Sequence, residues 1–138
     1  MSVEENKALV RRVLELLNER DTAACEYYAS DYIYHGPGGQ ELRGREGIKG
    51  LWAVFFAAFP DLRATIDDMV AEGDKLVLRW TVRGTHRGEF QGIAPTNKQV
   101  TLPIIEMFRV AGGQLVEAWD SFDRLDLMQQ LGAIPQQG

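Results

Sequence analysis

The sequence has little of what disulfides, metal sites and nucleic-acid surfaces require. It contains one cysteine, Cys25, and two histidines, which excludes an intramolecular disulfide and leaves no cysteine–histidine cluster for structural zinc. The 20 acidic residues outnumber the 15 basic ones, so we expect no binding of nucleic acid. No apolar run approaches the length of a membrane span, and the polar, acidic start lacks the features of a secretion signal. We therefore expect a cytoplasmic protein without membrane contact.

The remaining composition is that of an ordinary globular protein. Of 138 residues, 45% are hydrophobic and 25% are charged, values typical of a soluble domain with a packed core. No repeat, linker or low-complexity run divides the chain. We expect one domain over residues 1–138.

The hydrophobic period changes once along the chain, from helical spacing to alternation. Ser2 and Glu5 fit a capping box at the start of the first helix. Segregated helices and strands favour an α+β fold with a mostly antiparallel, strongly bent sheet. The predicted elements are helices at about Val3–Asn18, Asp21–Tyr28, Arg45–Phe59 and Arg124–Leu131, a short strand at Tyr32–His35, and strands at about 62–67, 76–83, Lys98–Val110 and Gln114–Phe122.

The last predicted strand carries one carboxylate in an apolar row. Val116, Ala118, Asp120 and Phe122 share one parity, and a buried carboxylate is costly unless it is paired, protonated or functional. Our leading hypothesis is that Asp120 lies in a pocket and performs acid–base chemistry. The alternative is an aspartate at a pocket rim or in a structural hydrogen bond.

The length of the last turn decides which residues surround this carboxylate. If Gly112-Gly113 forms a two-residue turn, Ile105 faces Asp120 and Met107 faces Ala118. Apolar neighbours would then raise the pKa of Asp120 towards neutrality. Glu106 and Trp119 would lie on the other face. A three-residue turn would instead place Glu106 beside Ala118, diagonal to Asp120.

Six short stretches occur together in an order that resembles the SnoaL-like polyketide cyclase family, within the nuclear-transport-factor-like superfamily. Each stretch alone is weakly specific, but their order and spacing cover nearly the whole chain. They are Asn6–Val10, Tyr34–Pro37, Ala58–Leu62, Gly84–Phe90, Gly92–Thr96 and Glu117–Asp123.

The resemblance implies a cone-shaped α+β barrel whose curved sheet wraps about three helices around an apolar pocket. It implies intramolecular aldol ring closure of a carbonyl-containing, apolar or polycyclic molecule without metal or cofactor, with Asp120 as the acid–base residue. It also implies a homodimer through the outer sheet face, for which Trp119, Glu106 and Thr101 are candidates.

His35 and His86 are further catalytic candidates, because both can titrate near neutral pH. His35 could bind a substrate carbonyl or hold Asp120, or it could simply fix the Gly-Pro loop that follows it. His86 matches a common family position, with a structural or rim histidine as the alternative. His35, His86 and Asp120 are far apart in the sequence and lack the spacing that is typical of metal ligands, so we expect no metal.

Aromatic and apolar side chains are candidates for the walls of the pocket. An aromatic stripe at helical spacing also fits plain core packing, which is the alternative for most of these residues. The candidates for substrate binding are Tyr34, Trp52, Phe56, Trp80, Ile105, Met107 and Phe122.

The sequence leaves two competing functions open and argues against a third. An isomerase of the ketosteroid type would use the same pocket as a proton shuttle. An epoxide hydrolase of the limonene type needs an arginine and two carboxylates around a water. If Arg79 were that arginine, its neighbour on the same face would be Thr81 and not an aspartate, which argues against hydrolysis. A ligand-binding or assembly module would need no catalysis.

Overall fold

The computed structural model describes residues 2–135 and consists of nine regular helices and strands in that range. The predicted domain extends to residues 1 and 136–138, which lie outside the described residues. The elements are α1 (Val3–Asn18), β1 (Tyr28–His35), β2 (Glu41–Arg43), α2 (Gly44–Ala58), β3 (Arg63–Glu72), β4 (Lys75–Thr85), β5 (Gln99–Ala111), β6 (Gln114–Phe122) and α3 (Arg124–Gln130), with 3-10 helices at Thr22–Tyr27 and Pro37–Gly39.

The six strands form one curved, unclosed sheet in the order β2-β1-β6-β5-β4-β3. Every neighbouring pair is antiparallel except β1 and β6, which run parallel. The long hairpins β3–β4, β4–β5 and β5–β6 follow the chain order. The predicted α+β class with a mostly antiparallel sheet is confirmed.

Local signals predicted most helix and strand bounds. The capping box is confirmed, with the Glu5 amide donating to Ser2 Oγ at 3.1 Å and the Ser2 amide to Glu5 Oε1 at 3.1 Å. The predicted second helix is a 3-10 helix capped by Asp21. Strand β2 is absent from the predicted elements; it is a three-residue edge strand that pairs with β1, where Ile33 lies opposite Arg43.

The inner face of the sheet is apolar because alternate residues of each strand point towards the helices. Along β5, Val100, Leu102, Ile104 and Phe108 are all buried, which is the alternation expected when one face of a sheet covers a core. No helix among the described residues is long and apolar enough to cross a membrane.

The end of α1 is joined to the sheet by one side chain. Asn18 accepts from the Ala64 amide through Oδ1 at 2.8 Å and donates to the Ala64 carbonyl through Nδ2 at 2.9 Å. Ala64 lies in β3, at the edge of the sheet, where no further strand is available. The Asn18 side chain therefore satisfies backbone groups that would otherwise have no partner in the protein.

Replacing Asn18 by alanine is expected to destabilise the fold by about 1–3 kcal/mol, because two hydrogen bonds are lost and the edge of β3 is left unpaired. Urea unfolding measures the change. Arg11→Ala, at an exposed position of the same helix, should change stability by less than about 0.5 kcal/mol. Equal effects of the two variants would contradict a specific role for Asn18.

Candidate active site

A β-bulge in β6 places the carboxylates, and it overturns the predicted register. The Gly112-Gly113 turn has two residues, with φ of 59° and 75°, and Ala111 lies opposite Gln114 as predicted. Leu115 then faces Val110 but Glu117 faces Arg109, so one extra residue stands in β6. Such a bulge shifts all later pairs by one residue.

The shift brings Glu106 opposite Asp120. Ile105 instead faces Ser121 and is 55% exposed, and Met107 faces Trp119. The predicted apolar neighbours of Asp120 therefore lie on the outer face. The prediction of an outer-face Glu106 is also wrong, because its side chain points inward and the residue is only 6% exposed.

A cavity of about 680 Å³ lies between the concave face of the sheet and the helices. This volume is in the range of small-molecule sites. Five predicted wall residues line it, and the other two, Ile105 and Met107, do not. The lining set from the prediction is Tyr34, Trp52, Phe56, Trp80 and Phe122, and it is extended by apolar residues of α1, α2, β4, β5 and α3, including Leu14, Leu51, Phe55, Val82, Ile104, Phe108 and Leu127.

Asp120 lies in the wall of this cavity and is hydrogen-bonded by a tyrosine. The Tyr34 hydroxyl donates to Asp120 Oδ2 at 2.8 Å. The other carboxylate oxygen, Oδ1, is buried and has no hydrogen-bond partner among the described residues. Burial raises the pKa of Asp120 to about 6, although the hydrogen bond from Tyr34 and the adjacent Ser121 amide act in the opposite direction.

Glu106 is a second carboxyl group in the same cavity wall. Burial raises its pKa well above the ordinary value, and the charge of Asp120 adds to the shift. The sequence does carry a signal for Glu106, which the predicted site lacks. Val100, Leu102, Ile104, Glu106 and Phe108 form an apolar row interrupted by one carboxylate, which is the same pattern that singled out Asp120.

Three tyrosines of β1 face the carboxyl pair. The rings of Tyr28 and Tyr32 meet edge to face with centroids 4.7 Å apart. Burial raises the pKa of Tyr28, Tyr32 and Tyr34, and the nearby carboxylates raise it further. All three hydroxyls therefore stay protonated at any physiological pH, and the Tyr34 hydroxyl is the one that donates a hydrogen bond, to Asp120. The Tyr32 hydroxyl is buried and has no partner among residues 2–135.

Neither candidate histidine lines the cavity. His35 pairs with Glu117 across 2.7 Å and stacks on Trp119, which places it on the outer face of β1 and β6. His86 is completely buried and is held by Thr96 at 3.0 Å, with the Phe59 ring beside it. The structure thus separates both residues from Asp120. Within residues 2–135, no group of three or more His, Cys, Asp or Glu side chains has the arrangement of a metal site.

Solved structures with the same fold cover nearly the entire chain. AclR of Streptomyces galilaeus, provisionally described as a hydroxylase, is 31% identical with a TM-score of 0.88 over 99% of this chain and 87% of its own. IdmH of Streptomyces antibioticus, provisionally described as a polyketide cyclase, is 34% identical with a TM-score of 0.81 over 91% and 97%.

A more distant structure shows the fold alone. The protein of Catenulispora acidiphila with a ketosteroid isomerase-like fold, solved in complex with trimethylamine, is 22% identical with a TM-score of 0.75 over 90% and 92% of the two chains. No functionally curated protein sequence matches significantly. The sequence profile of one family, however, matches residues 7–131. The chain therefore belongs to the SnoaL-like polyketide cyclase family.

Proposed function

We propose that this protein is a cyclase of small carbonyl compounds that closes a ring by intramolecular aldol condensation, with Asp120 as its acid–base residue. The observation that carries the proposal is a half-buried aspartate in the wall of a large apolar cavity, in a chain of this family. A carboxyl group with a pKa near 6 can both take and return a proton at neutral pH.

In the proposed mechanism the Asp120 carboxylate removes a proton from a carbon next to a carbonyl. The resulting enolate carbon attacks a second carbonyl carbon of the same molecule, and the new alkoxide is protonated. Tyr34 orients the carboxylate through its 2.8 Å bond to Oδ2 and supports the ionised form before the first step. In this mechanism, side chains of the protein perform every proton transfer.

The cavity supplies the second requirement, which is proximity. Two carbonyl groups of a flexible molecule react rapidly only when they are held together, and positioning of this kind is worth many powers of ten in rate. The aromatic walls formed by Trp52, Phe56 and Phe122 suit an apolar or polycyclic molecule. We propose such a molecule as the substrate, in a cytoplasmic homodimer formed through the outer sheet face.

The test is turnover of a panel of polyketide-like and steroid-like ketones by the wild type and by Asp120→Asn. Asp31→Asn, at an exposed position of β1, is the matched control. Product structure by mass spectrometry and NMR separates the possible functions: a new ring supports the cyclase, and a shifted double bond supports the ketosteroid-type isomerase. Equal turnover by the wild type and Asp120→Asn would remove Asp120 from the mechanism. Saturable binding without product would favour a binding module.

The pH dependence provides a separate prediction. Because Asp120 must be ionised to accept a proton and its pKa is raised to about 6, kcat/KM of the wild type should rise as the pH increases through about 6. Initial rates between about pH 4 and pH 9 measure this limb. A kcat/KM that stays flat or falls as the pH rises from about 5 to about 7 would contradict Asp120 as the base.

A further inference from the structure

Glu106 and Asp120 are direct cross-strand partners on the inner face of β5 and β6. Residues in this relation have Cβ atoms about 4.5–5.5 Å apart, and two like charges there destabilise each other. Both line the cavity. The only other charged residues of its wall within the described chain are Glu46 and Arg124, and both are exposed.

The elements around Glu106 offer it no positive charge. On β4 its neighbour is Leu78, which is fully buried. From β1 it faces Tyr28, Tyr32 and Tyr34, whose buried hydroxyls stay neutral. The coulombic influence on Glu106 comes from Asp120. Glu106 is buried and Asp120 is half-buried. Two adjacent carboxyl groups in such surroundings do not readily ionise together, so one of them keeps a proton.

An unpartnered atom indicates where that proton lies. Asp120 Oδ1 is buried and no donor among residues 2–135 reaches it, whereas Oδ2 already has the Tyr34 hydroxyl. A buried acceptor without a donor is costly. The protonated carboxyl of Glu106, on the directly opposed residue, is the donor that this position can provide.

We propose that Glu106 is a second catalytic residue, which holds one proton in common with Asp120 and delivers it to the substrate oxygen. This role rests on the proposed function of Asp120. It resolves a geometric difficulty of the single-residue mechanism, because the proton leaves a carbon and arrives at an oxygen some distance away. With two carboxyl groups, the substrate carbon that loses a proton faces Asp120 and the substrate oxygen that gains one faces Glu106.

The proton balance closes over one turnover. The Asp120 carboxylate takes the proton from carbon, and the C–H electron pair becomes the enolate. The enolate carbon forms the new C–C bond, and the π pair of the second carbonyl moves onto its oxygen. Glu106 gives its proton to that oxygen and becomes a carboxylate. Asp120 then passes its new proton to Glu106, which restores the starting state.

Glu106→Gln tests the proposal because glutamine keeps the size of the side chain but cannot release a proton. We expect kcat to fall by about 10²-fold with KM changed much less. The plot of wild-type kcat/KM against pH should be bell-shaped, with a falling limb at high pH where Glu106 ionises. This limb should be absent in Glu106→Gln. Glu106→Asp should restore part of kcat and the falling limb.

A measurement without substrate tests the proton itself. A raised carboxyl pKa means that the folded chain holds a proton that the unfolded chain has lost, so stability falls as the pH rises from about 4.5 through the folded pKa. The urea midpoint of the wild type should therefore decrease across this range. The decrease should be smaller in Glu106→Gln but unchanged in Glu72→Gln, which alters an exposed strand glutamate.

The outcomes separate this inference from the proposed function. If Asp120→Asn is inactive while Glu106→Gln keeps its rate within about twofold and retains the falling limb, Glu106 is not catalytic and the function of Asp120 stands. If Glu106→Gln leaves the pH dependence of the urea midpoint unchanged, the shared proton is overturned. If Asp120→Asn is fully active, the proposed function fails first. The catalytic pair of Glu106 and Asp120 is supported if Glu106→Gln lowers kcat, removes the falling limb at high pH, and makes the urea midpoint depend less on pH.

Discussion

Asp120→Asn is expected to lower kcat by about 10²–10⁴-fold while it raises the melting temperature of the same protein. Asparagine keeps the shape of the side chain and still accepts the hydrogen bond from Tyr34, which lies 2.8 Å from Oδ2 in the wild type. It cannot take a proton from carbon. The loss should therefore appear in kcat, with a much smaller change in KM.

The gain in stability follows from the direction of the pKa shift. Between the usual carboxyl value of 3.8 and about 6, the folded chain keeps a proton on Asp120 that the unfolded chain has released. The stability contributed by this group thus falls as the pH rises through that window and is lowest above it. Asparagine avoids the burial of a charge, so the variant should gain about 1–3 kcal/mol near pH 7.5 and little near pH 4.

Calorimetry at both pH values, combined with steady-state rates, checks this prediction. Asp31→Asn should leave both the melting temperature and kcat near the wild-type values. A melting temperature that falls at pH 7.5 would show that the ionised Asp120 stabilises the fold. Such an outcome would assign the residue a structural role.

Gly88→Ala is expected to destabilise the protein by about 3–5 kcal/mol, at the upper end of single-residue effects. An added Cβ would lie 2.1 Å from the carbonyl oxygen of Ala57 and 3.2 Å from Cα of Ala58. These are backbone atoms at the end of α2, so a simple side-chain rotation cannot relieve the overlap. Either the helix end or the loop after β4 must move.

The movement would also break a cap. The amides of Arg87 and Gly88 donate to the Ala58 carbonyl at 2.9 Å and 3.1 Å, and this carbonyl belongs to the last turn of α2, where no intrahelical donor exists. Loss of both bonds adds to the steric cost. Phe59 and Phe90, whose centroids are 5.6 Å apart, pack beside the same junction and would be displaced.

Gly50→Ala is the matched control for this prediction. Gly50 lies within α2, and an added Cβ there meets nothing within 4 Å. Alanine at this position should stabilise the helix by about 0.5–1 kcal/mol. Urea unfolding of both variants measures the contrast. A loss below about 1 kcal/mol in Gly88→Ala would show that the junction yields easily.

The sequence by itself determined the helices, most strands and the fold class, because these depend on local chemistry. The bounds of α1 follow from a capping box and helical spacing, and the Gly112-Gly113 turn follows from the need for positive φ at both positions. The apolar rows of β5 and β6 are visible as alternation. The carboxylate that interrupts the second row was correctly predicted to face inward, since Asp120 lines the cavity.

The tertiary structure alone decided which groups meet Asp120. The bulge in β6 allows Leu115 and Ala118, which have opposite parity, both to be completely buried. Its position depends on packing against the helices and on the parallel pairing with β1, and neither is encoded in the hairpin. One extra residue exchanged Ile105 for Glu106 opposite Asp120. For the same reason of non-local packing, His35 and His86 lie outside the cavity, although both belong to sequence stretches that resemble the family.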